Sequence, residues 1–201
     1  MKKLVIVFIS LIFISNSTSI YGKIKLPGII ASNMVLQRNT SVKIWGWANL
    51  GEKISIKTSW LANEIKITTP INGRWEVILK TTLSKDPQTI QLSSLESNIK
   101  LENILFGEVW VCSGQSNMRM PLKGYTGQPT FEGNAAIANS RNNNIRLFSI
   151  TENGNPTPLD TVAGYKKWGI ANPNNTKDFS AVAYFYGQKL EEILEVPVGI
   201  I

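Results

Sequence analysis

The chain has 201 residues, 43% of them hydrophobic, which suffices for one large or two small packed domains and excludes wholesale disorder. Lys and Arg number 21 against 14 Asp and Glu, a net charge of +7, yet the basic residues never gather into a run or stripe. Nucleic-acid binding needs cations collected on one face, so the charge reads as a solvated surface and no nucleic-acid partner is expected.

Lys2 and Lys3 precede an apolar run from Leu4 to Ile14, and the small polar residues SNSTS follow. This is the order of a secretory signal peptide, with cleavage expected after Ser19 or Gly22. Residues 1–22 are therefore set apart as a leader, and an exported protein, periplasmic or extracellular, is expected. The run falls short of the roughly 20 apolar residues that cross a bilayer, so no stable membrane anchor is expected.

From Lys23 to Ile104 the sequence alternates with period two. SVKIWGWA sends Val42, Ile44 and Gly46 one way and Lys43, Trp45 and Trp47 the other. EKISIKTSW repeats the pattern with Ile54 and Ile56, and RWEVILK with Trp75, Val77 and Leu79. Half-buried antiparallel strands alternate in this way, because successive side chains leave opposite faces of the sheet. The breaks fall at turn residues: near Gly51, at Asn72-Gly73, which signals a hairpin, and at Pro87. Short strands at this spacing predict an antiparallel β-sandwich over residues 23–104.

The texture changes over residues 105–201. EVWVC and VPVGII are near-continuous apolar runs, as in strands of a parallel sheet covered on both faces. Cys112 lies in the first run and reads as a small buried hydrophobe; as the single cysteine it can form no internal disulfide. Between the runs, FSAVAYFYGQKLEEIL predicts a helix whose apolar stripe is Val182, Tyr186, Leu190 and Leu194, widened by Ala183 and Ile193. Asp178 or Ser180 supplies its cap and Pro197 follows its end. Between Pro121 and Asn175 only NIRLFSI reads as a strand, and the rest reads as loops over a sheet edge. Asn39 and Asn174 stand in N-x-Ser/Thr triplets, read here as chance occurrences.

The stretch GEVWVCSGQSNM carries the chemistry. An apolar strand, then Ser113-Gly114, then Ser116 delivers a hydroxyl to the carboxyl end of a sheet, where α/β folds bind ligands. Gly114 permits a tight turn, and a short helical turn ended by Pro121 aims the amides of Ser116 and Asn117 together, as an oxyanion requires. Spacing alone leaves open a serine that merely caps a helical turn.

GEVWVCSGQSNM with Met120-Pro121 resembles the nucleophile block of the sialate O-acetylesterase family, carbohydrate esterases of the SGNH (GDSL-like) hydrolases. LPGIIASNMVLQRNTSVKIWGWANLGE and DFSAVAYFYGQKLEEILEVPVGII resemble two further blocks, so the likeness runs from Leu26 to Ile201. It implies a mixed fold, a β-sandwich followed by the first part of a flavodoxin-like α/β SGNH domain. It also implies a serine esterase that removes O-acetyl groups from sialic acid or related sugars through an acyl-enzyme. Gly114-Gln115-Ser116 then occupies the Gly-Asp-Ser-like position, with Ser116 as nucleophile and Gly114, Gln115 and Asn117 supporting its turn. The family's catalytic histidine, its acidic partner and an oxyanion glycine and asparagine come from later blocks. The chain contains no histidine, so a truncated chain, inactive alone, is expected.

Other chemistry is sparse. Without histidine and with one cysteine no metal site is expected, and without a glycine-rich phosphate loop no cofactor. Asp160, Asp178, Glu191, Glu192 and Glu195 are candidate acid–base groups, the glutamates reading first as a solvated helix face. Trp45, Trp47, Trp60 and Trp75 suggest core packing or a sugar-stacking platform. The latter supports an alternative in which the β-layer is a non-catalytic glycan-binding or interaction module.

Overall fold

The computed structural model describes residues 23–151, 155–162 and 164–201. The expected leader, residues 1–22, lies outside the described residues. In chain order the elements are β1 (Val35–Gln37), β2 (Ser41–Trp47), β3 (Lys53–Thr58), β4 (Ile65–Thr68), β5 (Arg74–Lys80), β6 (Gln88–Ser93) and β7 (Asn98–Trp110). There follow α1 (Ser116–Arg119), α2 (Gly133–Ala138), β8 (Asn142–Ile150), β9 (Tyr165–Ala171), α3 (Pro173–Thr176), α4 (Ala181–Leu194) and β10 (Val198–Ile200).

The fold is mixed and strand-rich. One sheet has the order β4-β3-β6-β7-β10-β8-β9 with β1 also on β7, and β2 and β5 form a separate ribbon. The period-two strands bury the faces their alternation predicts. Ile44, Trp75, Val77 and Leu79 of the ribbon share a core with Ile54, Ile56, Ile90, Leu92 and Ile104 of the sheet. Ile56, Leu79, Ile90 and Leu92 are wholly buried, each worth about 2 kcal/mol of transfer free energy.

β7 is the hinge of the topology. It pairs antiparallel with β6 over Asn98–Ile104, then parallel with β1 over Leu105–Gly107 and with β10 over Glu108–Trp110. The expected division between residues 104 and 105 thus falls inside one strand. β10 is also parallel to β8, while β9 closes the edge antiparallel to β8. A second core gathers Leu122, Ile145, Leu147, Phe179, Tyr184 and Val198 between this part of the sheet and α4.

Four expectations are corrected. Asn72-Gly73 makes a turn, with Gly73 at φ 72 and its N–H donating to the Pro70 carbonyl at 3.0 Å. It does not make a hairpin, because β4 pairs with β3 and β5 with β2; the turn carries the chain from sheet to ribbon. The buried face of α4 is Ala181, Ala183, Tyr184 and Gly187, whereas Val182, Tyr186, Ile193 and Leu194 are exposed. Small residues bring the helix onto β10: a Cβ on Gly187 would stand 1.9 Å from Ile200 Cδ1. In EVWVC the burial is also partial, for Trp110 and Val111 face solvent and Cys112 is half-buried. Finally α2, β9 and α3 occupy the stretch read as loops.

Candidate active site

Parallel pairing holds β7 up to its end. Glu108 N–H donates to the Pro197 carbonyl at 2.9 Å, Ile201 N–H to the Trp110 carbonyl at 2.9 Å, and Cys112 N–H to the Ile201 carbonyl at 2.7 Å. On the other side the Gln37 side chain continues where β1 stops, its Oε1 accepting from Val109 N–H at 2.9 Å. Gln37 Nε2 and the Arg38 guanidinium donate to Glu108 at 2.9 and 2.8 Å and hold its carboxyl below the usual carboxylate range.

Past Cys112 the chain turns outward. Ser113, Gly114, Gln115, Ser116 and Asn117 are exposed. A Cβ on Gly114 would lie 3.1 Å from Met118 Cβ, so this turn closes most easily on glycine. The helical turn α1 is closed by Arg119 N–H donating to the Gln115 carbonyl at 3.0 Å. Its far end is clamped to the start of α4: Leu122 N–H donates to the Phe179 carbonyl at 2.9 Å and Ala181 N–H to the Met120 carbonyl at 2.8 Å. Ser180 caps α4, accepting from Ala183 N–H at 3.3 Å, while its own hydroxyl donates to Met118 Sδ at 3.3 Å. The expected cap is therefore Ser180 and not Asp178, whose carboxylate lies 2.7 Å from Lys123 Nζ and is held below its ordinary pKa by that ammonium.

Among the described residues the Ser116 hydroxyl has no hydrogen-bond partner, and the amides of Ser116 and Asn117 have no acceptor. Such first-turn amides point together along the helix axis and are open to an anionic oxygen. Gln115 precedes them at φ −107° with no side-chain capping bond. The structure thus brings Gly114, Gln115, Ser116 and Asn117 together on one exposed turn at the carboxyl end of a parallel strand.

A cleft of about 560 Å³ opens beside this turn. Ser113, Gly114 and Met118 form one wall, Phe148–Thr151 at the end of β8 a second, and Asp178–Ser180 a third. Ser116 stands next to the cleft and is not among its lining residues. Sequence reasoning did not single out the β8 wall or Phe179, since no local pattern announces which strand end will face Ser113. Cys112 lies on the floor, and burial pushes its thiol pKa up.

Glu195 is the exposed left-handed C-cap of α4 at φ 52, and most of the other candidates lie in structural contacts. Glu191 accepts from Asn142 and Asn144 at 2.9 Å, Glu192 pairs with Lys189, and Asp160 pairs with Arg74. Trp75 is buried, Trp45 Nε1 donates to the Asp160 carbonyl at 3.1 Å, and Trp60 Nε1 donates to the Lys80 carbonyl at 2.9 Å. Trp60 and Phe106 also form a T-shaped pair with ring centroids 4.9 Å apart. These indoles are engaged in packing, and Trp45 and Trp47 are both half-buried.

No protein-family model matches the chain. It is similar to the sialate O-acetylesterase of Rattus norvegicus, 28% identical over 195 residues covering 88% of this chain and 35% of that protein. It is likewise similar to those of Pongo abelii and Homo sapiens, each 26% identical over 192 residues covering 88% of this chain and 36% of that protein. Among solved structures, a carbohydrate acetylesterase from Xanthomonas citri matches with a TM-score of 0.80 at 26% identity, covering 88% of this chain and 39% of that one. The chain therefore spans about a third of the length of the curated relatives it matches. Over 88% of its residues the chain is similar to sialate O-acetylesterases, at 25% to 28% identity.

Proposed function

We propose that these residues are the nucleophile-bearing part of a serine esterase that removes O-acetyl groups from sialic acid or a related sugar. The observation that carries this reading is the exposed Ser116 hydroxyl, without a partner among the described residues, past the carboxyl end of β7 and beside a cleft of about 560 Å³, large enough for a sugar. Homology to esterases is its second support. In architectural terms, we read the ribbon and the antiparallel part of the sheet as a β-sandwich, and the parallel part with α4 as the beginning of an SGNH domain. The Lys2-Lys3 and Leu4–Ile14 pattern supports action outside the cytoplasm.

Ser116 Oγ attacks the acetyl carbonyl and gives its proton to a base. The carbonyl oxygen becomes an oxyanion facing the amides of Ser116 and Asn117, and the intermediate collapses when the sugar oxygen leaves with a proton. Water then releases acetate from Ser116 by the same steps. A serine hydroxyl without a base is a weak nucleophile at neutral pH. The 201 residues hold no imidazole, so on their own they turn over about 10⁴-fold more slowly than a complete triad, or worse.

Added imidazole tests this reading. Acetate release from an acetylated sugar or nitrophenyl acetate is expected to be near the Ser116→Ala background without imidazole and above it with imidazole. A wild-type rate equal to that of Ser116→Ala at every imidazole concentration overturns the nucleophile assignment. Fast turnover without imidazole overturns the need for an external base.

A further inference from the structure

Arg146 on β8 is only 2% exposed, and among the described residues it forms no ion pair. Its Nε donates to the Asn143 carbonyl at 3.0 Å, Nη1 to Asn33 Oδ1 at 3.3 Å and Nη2 to Asn103 Oδ1 at 3.3 Å. A buried cation without a counter-ion is costly, and burial alone pushes this guanidinium down to about 10. A methionine would fill the space without that cost, so packing does not explain the arginine.

Its acceptors do. Asn33 and Asn103 both hold left-handed backbone, at φ 67 and φ 56. Asn103 lies in a bulge of β7: Gln88 and Ile90 of β6 stand opposite Ile104 and Leu101, so two residues of β7, Glu102 and Asn103, stand where β6 has only Thr89. Asn103 Nδ2 donates to Asn33 Oδ1 at 2.7 Å, Asn33 N–H to the Glu102 carbonyl at 3.0 Å, and Leu105 N–H to the Met34 carbonyl at 3.1 Å. At this bulge β7 exchanges its antiparallel neighbour for parallel ones. A planar fork of donors reaches the start of β8, the turn before β1 and the β7 bulge at once.

We propose that Arg146, Asn33 and Asn103 form the joint that fixes how the parallel part of the sheet leaves the antiparallel part, and that Arg146 is thereby a positioning residue for the Ser116 turn. From the bulge β7 runs into that turn, and from Arg146 β8 runs into the Phe148–Thr151 wall of the cleft. One guanidinium ties together the two strands that carry facing walls. The positioning role rests on the reading of Ser116 as nucleophile; the joint does not.

Segment-resolved hydrogen exchange on the full chain tests the joint. In Arg146→Met, amides of Val109–Cys112 and Leu147–Ile150 are expected to exchange on the order of tenfold faster, with Ile54–Thr58 and Trp75–Leu79 unchanged. Asn103→Gly, which keeps the left-handed backbone but removes the acceptor, is expected to loosen the same segments; it decides alone if Arg146→Met does not fold. Uniform acceleration of all strands, or no acceleration, overturns the joint. Imidazole-dependent acetate release is read on the same variants. If exchange responds but that rate holds in Asn103→Gly, the joint stands and the positioning role falls. If the parent itself shows no Ser116-dependent release, the nucleophile reading falls while exchange still decides the joint.

Discussion

Replacing Gly107 by alanine attacks the pairing that holds the Ser116 turn in place. Gly107 lies in β7 opposite Gln37 of β1 and just before the residues that pair with β10. A Cβ there would stand 1.9 Å from the Pro197 carbonyl oxygen and 2.6 Å from its carbon. Both are backbone atoms, so no rotamer relieves the clash and β10 must move away by more than about 1 Å to reach ordinary contact. That movement breaks the bonds Glu108 to Pro197, Ile201 to Trp110 and Cys112 to Ile201, about 1 kcal/mol net each. It also disturbs Val198 and Ile200, both wholly buried, adding about 1–3 kcal/mol of packing loss. The expected cost is about 4–6 kcal/mol, a large part of a typical domain's stability. Urea unfolding followed by tryptophan fluorescence measures it. Gly187→Ala is the contrast: its new Cβ meets the tip of Ile200, which can rotate, and alanine returns about 1 kcal/mol of helix propensity. A Gly107→Ala protein within 1 kcal/mol of the parent would refute this account of the β7–β10 contact.

Ser180→Ala removes the α4 cap and is expected to cost about 1 kcal/mol in the same assay, with Ser180→Asp retaining most of it; equal losses would contradict the capping role. Glu108, held below its ordinary pKa by Gln37 and Arg38, contributes stability that is fully present above the unfolded value of about 4.3 and disappears as pH falls through it toward the folded value. The parent is therefore expected to lose stability faster than Glu108→Gln between about pH 6 and 3, and parallel slopes would remove this contribution. The Cys112 thiol, raised by burial, is expected to be alkylated more slowly than free cysteine at neutral pH until the protein unfolds. Alkylation of the folded chain at the free rate would contradict that burial.

The legible part of the fold is the part whose pattern is local. Ile44, Ile54, Ile56, Trp75, Val77 and Leu79 announce their buried faces because one side of each strand meets a core and the other meets water. Of the expected α4 stripe Ala183 is buried and Leu190 packs against the core; the rest differs because the contact surface also uses Ala181 and Gly187, residues that carry little apolar signal but allow close approach, while larger Val182 and Ile193 face out. The edge strand β9 is polar at Lys166 and Lys167 and gives no alternation to find. Of the site, the Ser116 turn could be read because strand, glycine and serine are contiguous. The β8 wall and the Asp178–Ser180 wall could not, since pairing over long separations brings them there. Arg146 points the same way: a burial that residue type argues against depends on the Asn33 and Asn103 acceptors of two distant segments as well as on the nearby Asn143 carbonyl.

The most direct measurement is the site of acetyl transfer. The chain is incubated with an acetylated sugar or nitrophenyl acetate and imidazole, quenched in acid, digested and mapped by mass spectrometry. The account predicts one acetyl group, on Ser116, absent from Ser116→Ala and from samples without imidazole. Acetylation confined to Ser113, to lysines, or equally present in Ser116→Ala would contradict it.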